Sequence, residues 1–528
     1  MRRAGPPKVM VSRVEGQALG YEPAGHPLQS VIQMYVVDIK ENRGRQVVII
    51  GAGPAGLTAA WELQKAGLPS VVLEKDPVVG GLARTVCYKG YRFDIGGHRF
   101  FTKVHAVNRM WHEILGADLL QRSRLSRIYF KGRHFDYPLR FPNAVLGLGF
   151  KLSSLALLSY IRARVRPRLP EASLEDWVIN RFGRVLYETF FKTYTEKVWG
   201  MPCTEIGADW AEQRIRGLSL YRAVMATLLL GRAGKIKTLV KEFHYPRLGP
   251  GQMWETLQAR LNAAGNAVLT DAEVTSIRHD GHLITEASVN IGGESVRFPT
   301  MEVVSSMPLR ELVEKLDPPA PWTVLQAARS LRYRDFLTVA LILDRPNLFP
   351  DNWIYVHDPG VRVGRIQNFG NWSPDLVPVP GHSCLGLEYF CFKDDDLWSM
   401  DDGDLLSLAS NEVSALGLAP AAAIADGTVV RMEKAYPVYD AGYRSRLETI
   451  RDYLDSFRNL HPIGRNGLHK YNNQDHSMFT AMLAVRNILG ENHDVWSVNA
   501  DCEYHEEIRD GPDVTPPAAG SASPRVLF

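Results

Sequence analysis

Gln46-Val-Val-Ile-Ile-Gly51-Ala-Gly53-Pro54-Ala55-Gly56 is the stretch on which the fold turns. Its first five residues are a short, largely β-branched run with no polar alternation, the pattern of a strand buried on both faces. The run leads straight into G-x-G-x-x-G, after which Leu57–Ala66 reads as a helix ended by Gly67. Ser70-Val-Val-Leu73 reads as a second buried strand, and Glu74 stands at its end, 18 residues beyond Gly56. The glycines permit a tight turn, close approach of backbone N–H groups to a pyrophosphate, and close packing of helix on strand. The helix N-terminus then faces the phosphates, and Glu74 accepts hydrogen bonds from the adenosine ribose. Strand, glycines, helix, strand and acid in that order predict a dinucleotide site rather than a glycine-rich turn without ligand.

Two more glycine pairs follow. Gly80-Gly81-Leu82-Ala83-Arg84 comes just after the acid, and Phe93-Asp94-Ile95-Gly96-Gly97-His98 lies further on. Glu, then Gly-Gly with a nearby arginine, then Asp-x-Gly-Gly resembles the flavoprotein superfamily of amine oxidases, protoporphyrinogen oxidases and UDP-galactopyranose mutases. That resemblance implies FAD rather than NAD. A further glycine pair lets backbone approach a bulky isoalloxazine, and Arg84 can contact the pyrophosphate. The cofactor contacts expected from this half of the chain are Gly51, Gly53, Pro54, Ala55, Gly56, Glu74, Lys75, Gly81, Leu82, Arg84, Gly96, Gly97 and His98.

Composition bounds the rest. A chain of 528 residues suffices for about two to four domains and a large core. With 45% apolar and 23% charged residues it is ordinary globular material, neither disordered nor fibrous. Lysine and arginine total 61 against 58 acids, so a net charge of +3 leaves no footprint for non-specific nucleic-acid binding. Cys87, Cys203, Cys384, Cys391 and Cys502 are scattered and odd in number, which argues against a disulfide framework or a zinc site and fits a reducing cytoplasm. Arg2-Arg3 has no apolar segment after it, so residues 1–44 read as a tail rather than a secretory signal, or as sequence upstream of a start at Met34. The most apolar stretch, Ala144 to Ile161, is broken by Lys151 and three serines and falls short of about 18 uninterrupted apolar residues. It reads as a buried or surface-lying helix, not an integral membrane segment.

Residues 140–235 read as mostly helical, 251–264 as another helix and Val268–Ile277 as a strand. Short β-rich runs at Phe336–Leu343, Trp353–Val356, Arg365–Phe369, Ser383–Phe392 and Thr428–Lys434 suggest a mostly antiparallel sheet, and a final helix is expected over 478–489. The expected fold class is α/β: a discontinuous Rossmann-like FAD-binding domain with a helical insertion and an antiparallel β-sheet substrate domain. The FAD-binding domain takes 45–139, 236–310 and 436–500; the helical part takes 140–235 and the substrate sheet 311–435. Tails are expected at 1–44 and 501–528. No internal repeat is visible.

Several later blocks resemble UDP-galactopyranose mutase, particularly its eukaryotic branch, across roughly residues 46–496. Gly96-Gly97-His98-Arg-Phe-Phe101 resembles the family's loop under the flavin N5 edge. Phe190-Phe-Lys-Thr-Tyr-Thr-Glu-Lys-Val-Trp199 resembles its FF-x-x-Y-x-x-K-x-W-G helix, with Arg214 falling 15 residues after Trp199. Trp353-Ile-Tyr355, Arg365, Tyr436-Pro, Gly464-Arg465-Asn-Gly467, Tyr471 and Asn473-Gln-Asp-His-Ser477 resemble its remaining blocks. Carried over by position, Arg365, Tyr436 and Tyr471 would bind a sugar-nucleotide diphosphate. Arg465, Trp199 and Arg214 would sit near flavin and sugar, and Asp475 and the Met478 backbone would contact FAD. The backbone at Val274 would meet the adenine end. Tyr137, Arg140, Thr195, Trp353, Tyr355, Trp372 and Asn473 complete the implied substrate site, and His98, Arg214, Arg365 and Arg465 the catalytic set. Each has a plainer alternative: Trp199 and the tyrosines as core, Arg214 and Arg465 as ion-pair partners, His98 as a loop histidine. Their joint occurrence in order is what lowers these alternatives.

The chain departs from the family pattern at Leu139, Arg140, Thr195, Trp372 and Arg99; Arg99 and Arg140 add positive charge, which suggests an anionic ligand. The resemblance implies a redox-neutral pyranose/furanose exchange on a nucleotide sugar, in which reduced flavin N5 attacks the anomeric carbon and NAD(P)H can serve as external reductant. The competing expectation is an FAD-dependent oxidoreductase of the amine or protoporphyrinogen oxidase type. A third, a flavoprotein kept only as a binding module, fits least well beside so many retained arginines and aromatics.

Overall fold

The computed structural model describes residues 46–137, 141–208, 242–440 and 442–499. Strand β1 (Val47–Ile50) and strand β2 (Ser70–Leu73) are buried at every position and flank helix α1 (Pro54–Lys65). They run parallel with Val47 opposite Ser70. Ala267–Leu269, Glu302–Ser305 and Leu460–Pro462 complete a parallel sheet of five strands, in which β1 is central between Glu302–Ser305 and β2. The period of two explains why β1 carries no polar residue. Val47 and Ile49 face a core with Leu57, Trp254 and Leu483. Val48 and Ile50 face a second core with Leu312, Ala328 and Ile450. A strand with helices on both faces has no side to show water.

A second sheet of seven strands is ordered Ile424–Pro437, Tyr333–Leu343, Ser383–Cys391, Arg365–Asn368, Trp353–Val356, Ser126–Phe130, Arg133–Asp136. Neighbours are antiparallel except Trp353–Val356, which lies parallel to Ser126–Phe130. The expected antiparallel sheet is therefore mixed. The two strands of that parallel pair lie more than two hundred residues apart, so no hairpin dictates their direction. Ser126–Asp136, expected in the first cofactor segment, hydrogen-bonds into this sheet instead.

The expected single strand Val268–Ile277 is two strands, Ala267–Leu269 and Ala272–His279, with the chain turning at Asp271 (φ 51°). The first joins the parallel sheet and the second a separate four-stranded sheet. The first half is apolar and the second alternates apolar with polar residues, and β-branched residues occur in both, so a single strand was read across the turn. Residues 141–208 are largely helical: Phe141–Val165, Leu174–Phe182 and the run from Arg184 to Trp199, which includes a π-helical turn at Tyr187–Lys192. The expected tails lie outside the described residues. Among the described residues, no helix is long and apolar enough to cross a membrane.

Candidate active site

The glycine turn after β1 is shaped by contacts that a side chain would destroy. A Cβ on Gly56 would lie 1.8 Å from the Gly51 carbonyl oxygen, and one on Gly51 would lie 2.3 Å from Ser306 Oγ. Glu74, buried at the end of β2, accepts from the Ala52 N–H at 2.6 Å and the Asp76 N–H at 3.0 Å. Burial raises its pKa against those two hydrogen bonds. Each carboxylate oxygen still has a lone pair for a ribose hydroxyl. Gly464 (φ 80°) packs against Ala55 and Ser306, so the C-terminal block returns to this turn. Gly53 by contrast is open: a Cβ there would meet nothing nearer than Gly81 Cα at 4.0 Å. An extended first strand, a cramped turn with one open glycine and a helix start beyond it fit a dinucleotide phosphate. The residues present thus suit FAD.

The second sheet supplies the opposite wall through strand register. Tyr355 lies opposite Arg365, Arg365 opposite Glu388, and Glu388 opposite Thr338, which makes one cross-strand row. Two residues along, Trp353, Gln367 and Gly386 form the next row on the same face. The alternate residues Ile354, Ile366, Leu387 and Leu337 turn into an apolar core. Arg365 Nε donates to Glu388 Oε2 at 2.5 Å, and Gln367 Nε2 donates to Glu388 Oε1. Gln367 Oε1 is buried without a partner.

The turn at Gly96-Gly97 rests on this wall, for a Cβ on Gly97 would lie 2.6 Å from Gln367 Nε2. Asp94 holds that turn: it is fully buried, accepts from the Tyr245 hydroxyl at 2.9 and 2.8 Å and from the His98 backbone N–H. Burial pushes its carboxyl well above the usual range. His98 Nδ1 lies 3.1 Å from Gly96 O; a carbonyl only accepts, so Nδ1 carries the hydrogen and Nε2 is an acceptor. Burial, with Arg465 and Arg365 nearby, lowers the His98 pKa to about 3, so the ring is neutral.

Phenols and cations gather over the same wall. Tyr436 and Tyr471 stack with centroids 5.3 Å apart, and the Arg465 guanidinium lies 5.4 and 4.9 Å from their centroids. Arg465 is fixed by donating to Asn472 O and Ala435 O, each near 2.9 Å. Burial raises the Tyr436 and Tyr194 phenols, which stay protonated donors. Tyr137, Tyr194 and Trp353 surround Tyr355 at 4.7, 5.6 and 6.3 Å. The guanidinium carbons of Arg99 and Arg124 lie 5.6 and 5.4 Å from the Trp353 ring.

Arg365, Arg465, His98, Tyr355, Tyr436, Tyr471, Tyr137 and Trp353 thus meet around one wall. Trp199 is buried and tilted against Tyr471 at 6.3 Å, and Thr195 is half-buried on the same helix. Trp372, expected at the substrate, is instead core: it is 1% exposed, packed on Phe243, Tyr245 and Trp353, and donates to Asn352 O. Asn473, also expected at the substrate, caps the last helix in a reciprocal pair with His476. That helix is Gln474–Ile488, four residues earlier than expected, because the cap residue and not the apolar run sets its start. Asp475 lies in its first turn beside His476, and the Met478 side chain takes the Trp111 indole N–H in the core. Arg84 is held by Asp76 at 2.6 Å, and Lys75 is exposed. The Val274 carbonyl accepts from Lys315 Nζ at 2.5 Å within the four-stranded sheet. Arg140 and Arg214 lie outside the described residues.

Sequence reasoning missed Glu388, Gln367 and Arg124, and it quoted Tyr194 and Lys197 only as fixed positions of the FF-x-x-Y-x-x-K-x-W-G block without giving either a role. The signal for Glu388 was present: one acid inside the otherwise apolar strand Ser383–Cys391. Lys197 Nζ donates to the carbonyls of Asp358 and Val363 at 2.5 and 3.2 Å, tying the Thr193–Trp199 helix to the wall. Its burial lowers its pKa to about 8. The fixed lysine of the FF-x-x-Y-x-x-K-x-W-G block was the signal for this residue, while its carbonyl partners, more than 150 positions away, were not readable.

A family model described as flavin containing amine oxidoreductase matches residues 54–469. An L-glutamate oxidase precursor of Streptomyces viridosporus is 35% identical over 115 residues, 21% of this chain and 16% of that protein. A 15-cis-phytoene desaturase of Narcissus pseudonarcissus is 30% identical over 128 residues, 23% of this chain and 22% of that protein. The matched stretch spans less than a quarter of the length of these two relatives. Among solved structures, a reduced UDP-galactopyranose mutase superposes with a TM-score of 0.76 at 22% identity, over 87% of this chain and 98% of that one. A putrescine oxidase bound to putrescine gives 0.55 at 17% identity, over 84% and 99%. At such identities the likeness is one of fold.

Proposed function

The chain belongs to the flavin containing amine oxidoreductase family, and on that premise we propose that it is an FAD-dependent nucleotide-sugar mutase exchanging pyranose and furanose forms. The observation that carries the proposal is the row Tyr355–Arg365–Glu388 facing Tyr436, Tyr471 and Arg465 beside the Gly96-Gly97-His98 turn. Bound FAD in its reduced form supplies a nitrogen able to attack an anomeric carbon. Arg365 takes the charge of the departing diphosphate. A guanidinium has five N–H donors, so pairing with Glu388 leaves donors for phosphate oxygens. Glu388 balances that cation when no phosphate is bound, which limits the cost of burying it. Tyr436, whose phenol burial keeps protonated, adds a neutral donor, and the Tyr471 ring stacked on it helps exclude water. Neutral His98 offers Nε2 to a hydroxyl without adding charge beside the flavin.

The test is turnover of a panel of nucleotide sugars by chemically reduced enzyme, with product isomers separated by chromatography. The expected result is interconversion by the reduced form only. Arg365→Ala should weaken binding of a nucleoside diphosphate at least about tenfold. No isomer from the whole panel, together with unchanged affinity in Arg365→Ala, would sink the proposal.

A second reading, net oxidation by FAD, is supported by the names of the oxidases among the relatives. Anaerobic mixing separates the two: substrate-dependent bleaching of oxidised flavin, with hydrogen peroxide once air is admitted, would favour oxidation. Stopped-flow mixing with NADPH reads the reductant in either case.

A further inference from the structure

The helix Phe141–Val165, broken at Gly149 (φ 78°), is built inside out. Its small residues face the protein: Ala156 and Ala163 are buried, Ser159 Oγ accepts from the Val185 N–H, and the Tyr160 backbone lies against Gly183. Its large apolar residues face outward, with Phe150 88%, Leu157 56%, Leu158 63%, Ile161 49% and Val165 73% exposed. After the break at Gly149 these five positions fall within an arc of about 100° at 3.6 residues per turn. An ordinary surface helix shows the reverse arrangement. Lys151 and Arg162 border the stripe on one side and Arg164 on the other, all exposed.

Charge says what covers this face. From Tyr137 to Pro170 there are six lysines and arginines and no acid. The chain carries 58 acids in all, so their absence from this stretch is a local bias in a nearly neutral protein. Arg168 pairs with Glu175 and Asp176, but Arg162, Arg164 and Arg166 stand exposed at the end of the stripe. A second copy of the chain would bring the same positive field to the contact and be repelled. An apolar stripe bordered by cations instead matches the interface of an anionic bilayer, where the stripe enters the headgroup boundary and the cations meet lipid phosphates. We propose that the Phe150–Val165 face docks this protein on anionic membrane surfaces as a peripheral, non-spanning contact.

The test is flotation of the full-length, flavin-loaded protein with vesicles of phosphatidylcholine alone or mixed with phosphatidylglycerol. Binding is expected on the mixed vesicles, lost on raising the salt, and weak on phosphatidylcholine. Phe150→Gln with Leu158→Gln, and separately Arg162→Glu with Arg164→Glu, should each lower binding roughly tenfold while the flavin spectrum stays intact. Because these side chains point away from the core, folding is checked by that spectrum, and the salt and lipid dependence of the unaltered protein stands as an independent measurement. Absence of binding to mixed vesicles overturns the proposal, as does binding that both variant pairs leave unchanged. A dimer in sedimentation that Phe150→Gln with Leu158→Gln dissolves, without vesicle binding, overturns it in favour of a self-association face.

Discussion

Gly53 and Gly56 stand three residues apart and are constrained by different things. At Gly56 the added Cβ would strike Gly51 O at 1.8 Å, so Gly56→Ala breaks the turn whether or not a ligand is present. At Gly53 (φ −79°) the nearest atom is 4.0 Å away and the backbone suits any residue, so the protein itself tolerates alanine. Gly53→Ala should therefore keep the melting temperature of the apoprotein and weaken FAD binding by roughly 1.5 kcal/mol, the scale of one lost contact to a charged group. Titrating apoprotein with FAD while following flavin fluorescence checks this; unchanged affinity would move the pyrophosphate elsewhere. These glycines were legible because their role is local. Trp372 and Asn473 were not: whether an indole is core or pocket, and whether an amide caps a helix or meets a ligand, depends on neighbours brought in by folding.

Strands and helices carry the next predictions. Arg365 and Glu388 are 23 residues apart and meet only through strand register. Arg365→Met leaves a fully buried carboxylate without its countercharge and should cost about 3 kcal/mol in urea unfolding, whereas Arg365→Met with Glu388→Gln should recover most of it. Equal losses in the single and double variants would mean that the pair is not coupled. Asn473→Ala should cost about 1 kcal/mol as a lost helix cap and leave KM unchanged. A raised KM at unaltered stability would return Asn473 to the substrate site. The existence of these elements was readable from apolar periodicity. Their partners were not, because a fully buried strand such as Ser383–Cys391 is compatible with several neighbours in either direction.

Across the whole molecule, buried neutral histidines couple stability to pH. Burial lowers His98 and His357 to about 3 and His469 to about 4, each from 6.5. The unfolded chain therefore binds the extra protons, so this contribution is complete above pH about 6.5 and is lost as pH falls towards those values. Asp94 and Glu74, raised by burial, act in the opposite sense over their own range. Urea midpoints of the holoprotein should fall between pH 7 and pH 4.5, and His469→Asn, which tolerates the positive φ of 47° there, should flatten the slope. A slope identical in the variant would take His469 out of the account. Burial of this kind is a property of the assembled chain, and no histidine here announced it. By itself the sequence determined the βαβ unit, its glycines and acid, and the parallel and second sheets as classes of structure, since glycine sterics and side-chain period act over a few residues. Only the tertiary structure decided that Arg365, Glu388, Tyr436, Tyr471 and Arg465 share a wall with Gly97, that the second sheet is mixed, and that a helix turns its large apolar face outward. Register and packing join residues hundreds of positions apart, and nothing local to any of them specifies the partner.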